Sequence, residues 1–235
     1  MIKAIDFFNF EDKEYDIPFY NNNPKISKFA WLILWIAMVI GYLSHLTVDS
    51  YIGIPFEGII LCFILLIPVL YYLNWDYKAI FRKPSLNDLM WAVGMALTFV
   101  VYSTACTYLF SFAGINEGKI PLLAVNLAND FASFIFLLMG EELIKFILFA
   151  FFLCILYKFS SNRKPSIVAS MFITVMIFGL IHAIPTGFYD TGFLVQGLGS
   201  LVHMFLYVKT KNVFVCYISH ILTDTIISII TLFAV

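Results

Sequence analysis

Seven apolar runs joined by short polar connections take up most of the chain, at roughly 29–47, 54–73, 86–112, 121–158, 165–184, 190–208 and 212–233. An α-helix needs about 20 apolar residues to cross the hydrocarbon core of a bilayer. There, backbone polar groups are satisfied only in helices or closed barrels. The runs are continuous rather than alternating, so they predict an all-α, polytopic transmembrane helix bundle of about seven spans. The fourth run is longer than one perpendicular helix. It fits one tilted helix, an interfacial piece from Pro121 followed by a span, or two spans, which would make eight. Composition agrees: of 235 residues, 62% are hydrophobic and 12% charged, against about 25% charged in soluble domains. Half the usual charge cannot clothe a water-facing surface, so membrane lipid is the partner the chain must have. A net charge of −1 supplies no basic field for nucleic acid.

Residues 1–28 read as a cytoplasmic or interfacial N-terminal tail. Glu11, Asp12, Lys13, Glu14 and Asp16 interrupt them, and Asn21, Asn22, Asn23 and Pro24 close them. Ile2, Ile5, Phe7, Phe8 and Phe10 suit either an interfacial stretch or a mobile tail. No charged n-region precedes an apolar h-region, so a cleavable signal peptide is not expected. Residues 29–235 then form a single transmembrane domain without an internal repeat. In the seven-span arrangement twelve Lys and Arg fall on one side: Lys3, Lys13, Lys25, Lys28, Lys78, Arg82, Lys83, Lys158, Arg163, Lys164, Lys209 and Lys211. Lys119 stands alone on the other side, and Lys145 is inside a span. The positive-inside rule then predicts a multi-pass cell-membrane protein with a cytoplasmic N-terminus and an outer C-terminus.

Most polar residues need no special role. His45, Asp49, Glu57 and Asp190 sit near outer span ends, where water reaches. Gly187, Gly192, Gly197 and Gly199 suit close helix approach. Cys62, Cys106, Cys154 and Cys216 lie in apolar runs without C-x-x-C spacing and read as small core residues. His203, alone in the sixth run, reads as hydrogen-bonded to a neighbouring helix.

Glu141, Glu142 and Lys145 are different, because no other charge lies within ten residues on either side. A mid-bilayer ionisable group costs about 2.5–3.5 kcal/mol on insertion scales. A Glu141–Lys145 pair at i,i+4 would neutralise itself but leaves Glu142, about 100° round the helix, unexplained. At about 1.5 Å rise per residue, Glu141 stands roughly 25 Å above Lys158, and His182 roughly 27 Å above Lys164. Counted from Lys211 in the same way, His220 is at roughly 14 Å and Asp224 at roughly 20 Å. Three helices therefore bring ionisable groups into one leaflet.

Two carboxylates and two imidazoles in a water-excluded pocket suit peptide-bond hydrolysis. A carboxylate draws the proton from water and passes it to the leaving amine, and imidazole or Asx side chains bond the oxyanion. Other intramembrane protease chemistries lack their signatures. There is no H-E-x-x-H. Ser200 in G-L-G-S is not a G-x-S-G nucleophile turn, and no G-x-G-D answers the Tyr189–Asp190 pair. Two further readings stay open. One is a non-catalytic immunity or regulatory membrane protein with a vestigial site. The other is a transporter or metal-dependent enzyme that uses Glu141, His182, His220 and Asp224 as ligands.

Glu141-Glu142, then Phe178-x-x-x-His182, then His220-x-x-x-Asp224 resembles the E-E-x-x-x-R, F-x-x-x-H, H-x-x-x-(Asn/Asp) series of the CPBP family. These are the CAAX proteases and bacteriocin-processing (Abi) enzymes, and the resemblance covers roughly residues 125–230. It implies an all-helical glutamate intramembrane protease with no cofactor and no bound metal, acting on membrane-associated peptide or protein precursors. The implied catalytic set is Glu141 as base, His182 positioning its water, Glu142 in support, and His220 with Asp224 at the oxyanion. Two positions depart from the pattern. Phe146 stands where the family has Arg, with Lys145 one place earlier, a form resembling the E-E-x-x-K of PrsW-like proteases. Asp224 replaces the commoner Asn; an ionised Asp would repel an oxyanion, so Asp224 must be protonated or must hold His220 as an imidazolium. Richness in Phe, Ile, Asn and Lys fits AT-rich coding and a bacterial setting, where a peptide pheromone or bacteriocin precursor is the expected substrate class.

Overall fold

A computed structural model describes residues 7–11, 13–52, 56–115 and 127–233. Within the described residues each expected run is helical: α1 Lys28–Ile52, α2 Phe56–Tyr72, α3 Leu86–Ala113, α4 Leu127–Ser160, α5 Arg163–Thr186, α6 Leu201–Thr210 and α7 Val213–Phe233. A π-helical segment, Thr191–Leu198, leads into α6. No strand occurs among the described residues, so the protein is an all-helical polytopic bundle. Among the described residues, five stretches are long and apolar enough to cross a membrane: Leu86–Ala113, Phe134–Ser160, Arg163–Thr186, Thr191–Thr210 and Val213–Thr231. Lys28–Ser44 and Phe56–Tyr72 are shorter apolar helices.

The fourth run resolves into one helix of 34 residues, about 51 Å long at 1.5 Å per residue, so it contributes one crossing rather than two. The alternative start at Pro121 lies outside the described residues. α4 packs against α2, α5 and α7, and every residue from Glu142 to Ala150 is buried. A helix apolar all round must be enclosed by others, and α4 is the enclosed one. Local signals set several ends. Ser85 and Asp88 form a capping box at the start of α3, which satisfies two orphan N–H groups. Gly187 (φ 73°) closes α5 in the left-handed conformation, which glycine adopts without a Cβ penalty.

Gly187 thus ends a helix and takes no part in close packing. A Cβ there would meet nothing within 4 Å. Gly192 does permit close approach: a Cβ on it would lie 2.6 Å from Ala183 Cβ. This contact seats the π-helical segment on α5, and Gly197 continues it.

The N-terminal segment packs against one end of the bundle. Ile17 and Phe19 are buried in the main core. Both Glu11 carboxylate oxygens accept from Arg163, at 2.7 Å each, and Lys211 Nζ lies 2.9 Å from Glu11. Burial opposes ionisation of Glu11, but the hydrogen bonds from Arg163 and Lys211 outweigh it and hold the carboxyl below its ordinary range. Arg82 donates to the carbonyls of Thr210 and Lys211 at 2.6 and 3.0 Å, and Val213 N–H donates to Ile80 O at 2.8 Å. The α6–α7 turn is therefore drawn into the protein, and Lys211 is fully buried.

That inward turn changes the depth arithmetic. Counting from Lys211 placed His220 about 11 Å short of Glu141, on the assumption that Lys211 marks the membrane surface. Because the turn sits inside the bundle beneath the N-terminal segment, His220 reaches the level of the glutamates.

Candidate active site

The site is built from the middle of α4, the last turns of α5 and the centre of α7. Gly140 lets α4 press against α2, since a Cβ there would lie 2.7 Å from Leu61 Cγ. The next two residues, Glu141 and Glu142, point to different neighbours. Lys145 bonds Glu142, not Glu141, with Nζ 2.5 Å from Glu142 Oε1. The i,i+4 neutralisation expected for Glu141 and Lys145 is thus replaced by an i,i+3 pair. The Lys145 ammonium also lies 4.8 Å from the Phe178 ring centroid, so α5 supplies it a second, apolar support.

Glu142 Oε1 lies 2.8 Å from His220 Nδ1. A carboxylate can only accept, so Nδ1 carries the proton and Nε2 is turned to the other side of the ring. There Nε2 lies 3.8 Å from Glu141 Oε2 and 3.8 Å from Asp224 Oδ1. His182 is fixed in a parallel way. Its Nδ1 is 3.0 Å from Phe178 O, a carbonyl that must accept, so Nε2 faces Glu141 Oε1 at 3.7 Å. Glu141 therefore stands between two imidazole Nε2 atoms, each just beyond direct hydrogen-bond range.

Exposure divides the set. The side chains of Lys145 and Glu142 are 2% and 4% exposed, whereas Glu141 is 17%, His182 29% and Asp224 31%. Lys145–Glu142–His220 forms an enclosed support, and Glu141, His182 and Asp224 line its accessible side. All five residues singled out in the sequence meet here. Phe146, at the position of the family's Arg, is buried with its ring edge-on to Tyr207 at 5.7 Å and tilted on Phe19 at 6.1 Å. Aromatic packing fills that place.

His203, whose place in its run gives no sign of these partners, also belongs to this neighbourhood. It is 2% exposed, stacked on Phe99 at 5.5 Å and 4.9 Å from the His220 ring. Neither of its nitrogens has a hydrogen-bond partner, contrary to the expected bond to a neighbouring helix. Its isolation as an intramembrane histidine was the signal available. Among the described residues, the group whose potential ligand atoms all lie within 4.8 Å of one another is Glu142, His203 and His220. The set Glu141, His182, His220 and Asp224 does not form such a group. The four cysteines are free thiols. Of the polar residues placed at span ends, Asp190 is exposed, and the side chains of His45 and Asp49 lie outside the described residues.

Fold and site together define a multi-pass helical membrane protein with a carboxylate–imidazole cluster inside the bundle. Residues 126–226, which carry all five motif residues, match the family model described as type II CAAX prenyl endopeptidase Rce1-like, in agreement with the CPBP (CAAX protease) series that the motifs resemble. The chain matches no curated protein and no solved structure.

Proposed function

We propose that the protein is an intramembrane endopeptidase that hydrolyses membrane-associated peptide or protein precursors through a glutamate-activated water. The observation that carries this reading is Glu141 flanked at 3.7 and 3.8 Å by His182 and His220. Separations just above direct contact suit a bridging water. Glu141 takes the proton as that water attacks the scissile carbonyl, then delivers it to the leaving amine. His182, fixed by its bond to Phe178 O, positions the same water. His220 has committed Nδ1–H to Glu142, so it donates Nε2–H to the oxyanion only as an imidazolium. Glu142 and Asp224 balance that charge, and Lys145 holds Glu142 in place. The logic is that of a carboxylate orienting an imidazole in a triad, with water in place of a side-chain nucleophile.

The charge distribution supports a cytoplasmic N-terminus in a cell membrane, with the Glu11 cluster on the cytoplasmic side. Small peptide precursors processed at a bacterial membrane are the substrate class we favour. One observation supports a second reading, a non-catalytic scaffold: Phe146 fills the place of the family's Arg with aromatic packing. Reconstituted protein distinguishes the two. Wild type cleaves a membrane-associated precursor peptide and Glu141→Gln does not; a scaffold cleaves with neither.

A further inference from the structure

We propose that Glu142, His203 and His220 form an inhibitory site for a first-row divalent cation of the zinc class. Their ligand atoms all lie within 4.8 Å of one another and all three residues are buried. Metal–nitrogen and metal–oxygen bonds of about 2.0–2.2 Å in tetrahedral geometry put ligand atoms about 3.4 Å apart, so side-chain rotation must bring His203 closer and open the 2.8 Å Glu142–His220 contact. The second observation is His203 itself. A buried imidazole with both nitrogens unpartnered forgoes at least one hydrogen bond and bears the desolvation penalty of that group. Coordination satisfies that nitrogen.

Charge points the same way. Three carboxylates, Glu141, Glu142 and Asp224, converge on His220, and among the described residues Lys145 is the fixed cation hydrogen-bonded to them. Two positive charges are therefore wanted, and either protons on the histidines or one divalent ion supplies them. Lys145, bound to the same carboxylate, repels a metal and selects against weak imidazole binders such as Mg²⁺ and Ca²⁺. It leaves Zn²⁺, Co²⁺, Ni²⁺ and Cu²⁺. Binding at Nδ1 takes His220 from Glu142 and draws the ring toward His203, which moves its Nε2–H donor away from Glu141 and Asp224. The inhibitory consequence rests on the peptidase reading, whereas the site does not.

The test is a Co²⁺ titration of chelator-treated, detergent-purified protein, read by the visible absorption of the bound ion and by Zn²⁺ competition. Wild type is expected to bind one equivalent. His203→Phe, which keeps an aromatic ring between Phe99 and His220, is expected to lose more than the roughly 10–100-fold affinity that an outer-shell partner is worth. His203→Gln carries the same readout if the Phe variant does not fold. Glu141→Gln should still bind. No saturable band in wild type, or wild-type affinity in both His203 variants, overturns the site. In the peptidase assay, Zn²⁺ should inhibit wild type reversibly, with the half-inhibitory concentration raised in His203→Phe by the same factor. A protein that binds Co²⁺ through His203 but cleaves nothing keeps the site and removes the function. A peptidase whose inhibition ignores His203 does the reverse.

Discussion

Glu142 accepts from His220 Nδ1 at 2.8 Å and from Lys145 Nζ at 2.5 Å, so it anchors an imidazole and leaves the adjacent Glu141 as the accessible carboxylate. Neighbouring residues of one chemical type thus do different work because the helix turns them toward different partners.

The buried pair has a measurable cost. Lys145→Met leaves Glu142 without its cation in a low-dielectric site, where breaking such a pair costs about 3–5 kcal/mol. Thermal unfolding in detergent should show that loss. The double variant Lys145→Met with Glu142→Gln should recover part of it, and a double variant no better than the single one would contradict the pairing.

Asp224 stands 3.8 Å from His220 Nε2, on the side where the proposed mechanism places the oxyanion. Asp224→Asn removes a possible negative charge there and keeps a hydrogen-bonding group. Turnover is expected to be unchanged or higher. A loss of tenfold or more would show that the Asp224 charge is needed to hold His220 as an imidazolium.

Glu11 links acidity to stability away from the chemistry. Its folded carboxyl titrates below its ordinary value of 4.5, so its contribution is complete above that value and is lost as pH falls through the lower, folded one. Glu11→Gln should therefore lower the melting temperature near neutrality. The gap between wild type and variant should narrow as the solution is acidified below the ordinary carboxylate range. A gap that persists at the lowest pH would mean the ion pairs with Arg163 and Lys211 contribute nothing.

Gly192 tests how the π-helical segment is seated. A Cβ there would meet Ala183 Cα at 2.8 Å as well as its Cβ, and backbone cannot yield as a side-chain tip does. Gly192→Val should destabilise by about 1–3 kcal/mol, whereas Gly94→Ala, with nothing within 4 Å of the new Cβ, should be tolerated. Equal melting temperatures for both variants would remove the packing argument.

Much of this was legible in the residues. Among the described residues, apolar run length located the seven α-helices, because a span is fixed by bilayer thickness, and isolated charges marked the site because hydrocarbon penalises them. What the sequence concealed came from tertiary contacts. The depth of His220 depended on the α6–α7 turn being pulled inward by Glu11 and Arg82, residues more than a hundred positions away in sequence. Lys145 chose Glu142 over Glu141 because His220 and Phe178 stand on that side of α4. The unpaired state of His203 depended on Phe99 of α3 stacking against it, which no spacing within its own run encodes.

The central claim is that Glu141 and His182 act on one water. Glu141→Gln, His182→Ala and the double variant, reconstituted in vesicles and assayed on a membrane-associated precursor peptide, measure it directly. Residues that serve one step are strongly non-additive, so the double variant should be about as inactive as either single one, with all three folded. Losses that multiply would separate the two residues, and wild-type turnover in both single variants would contradict the account.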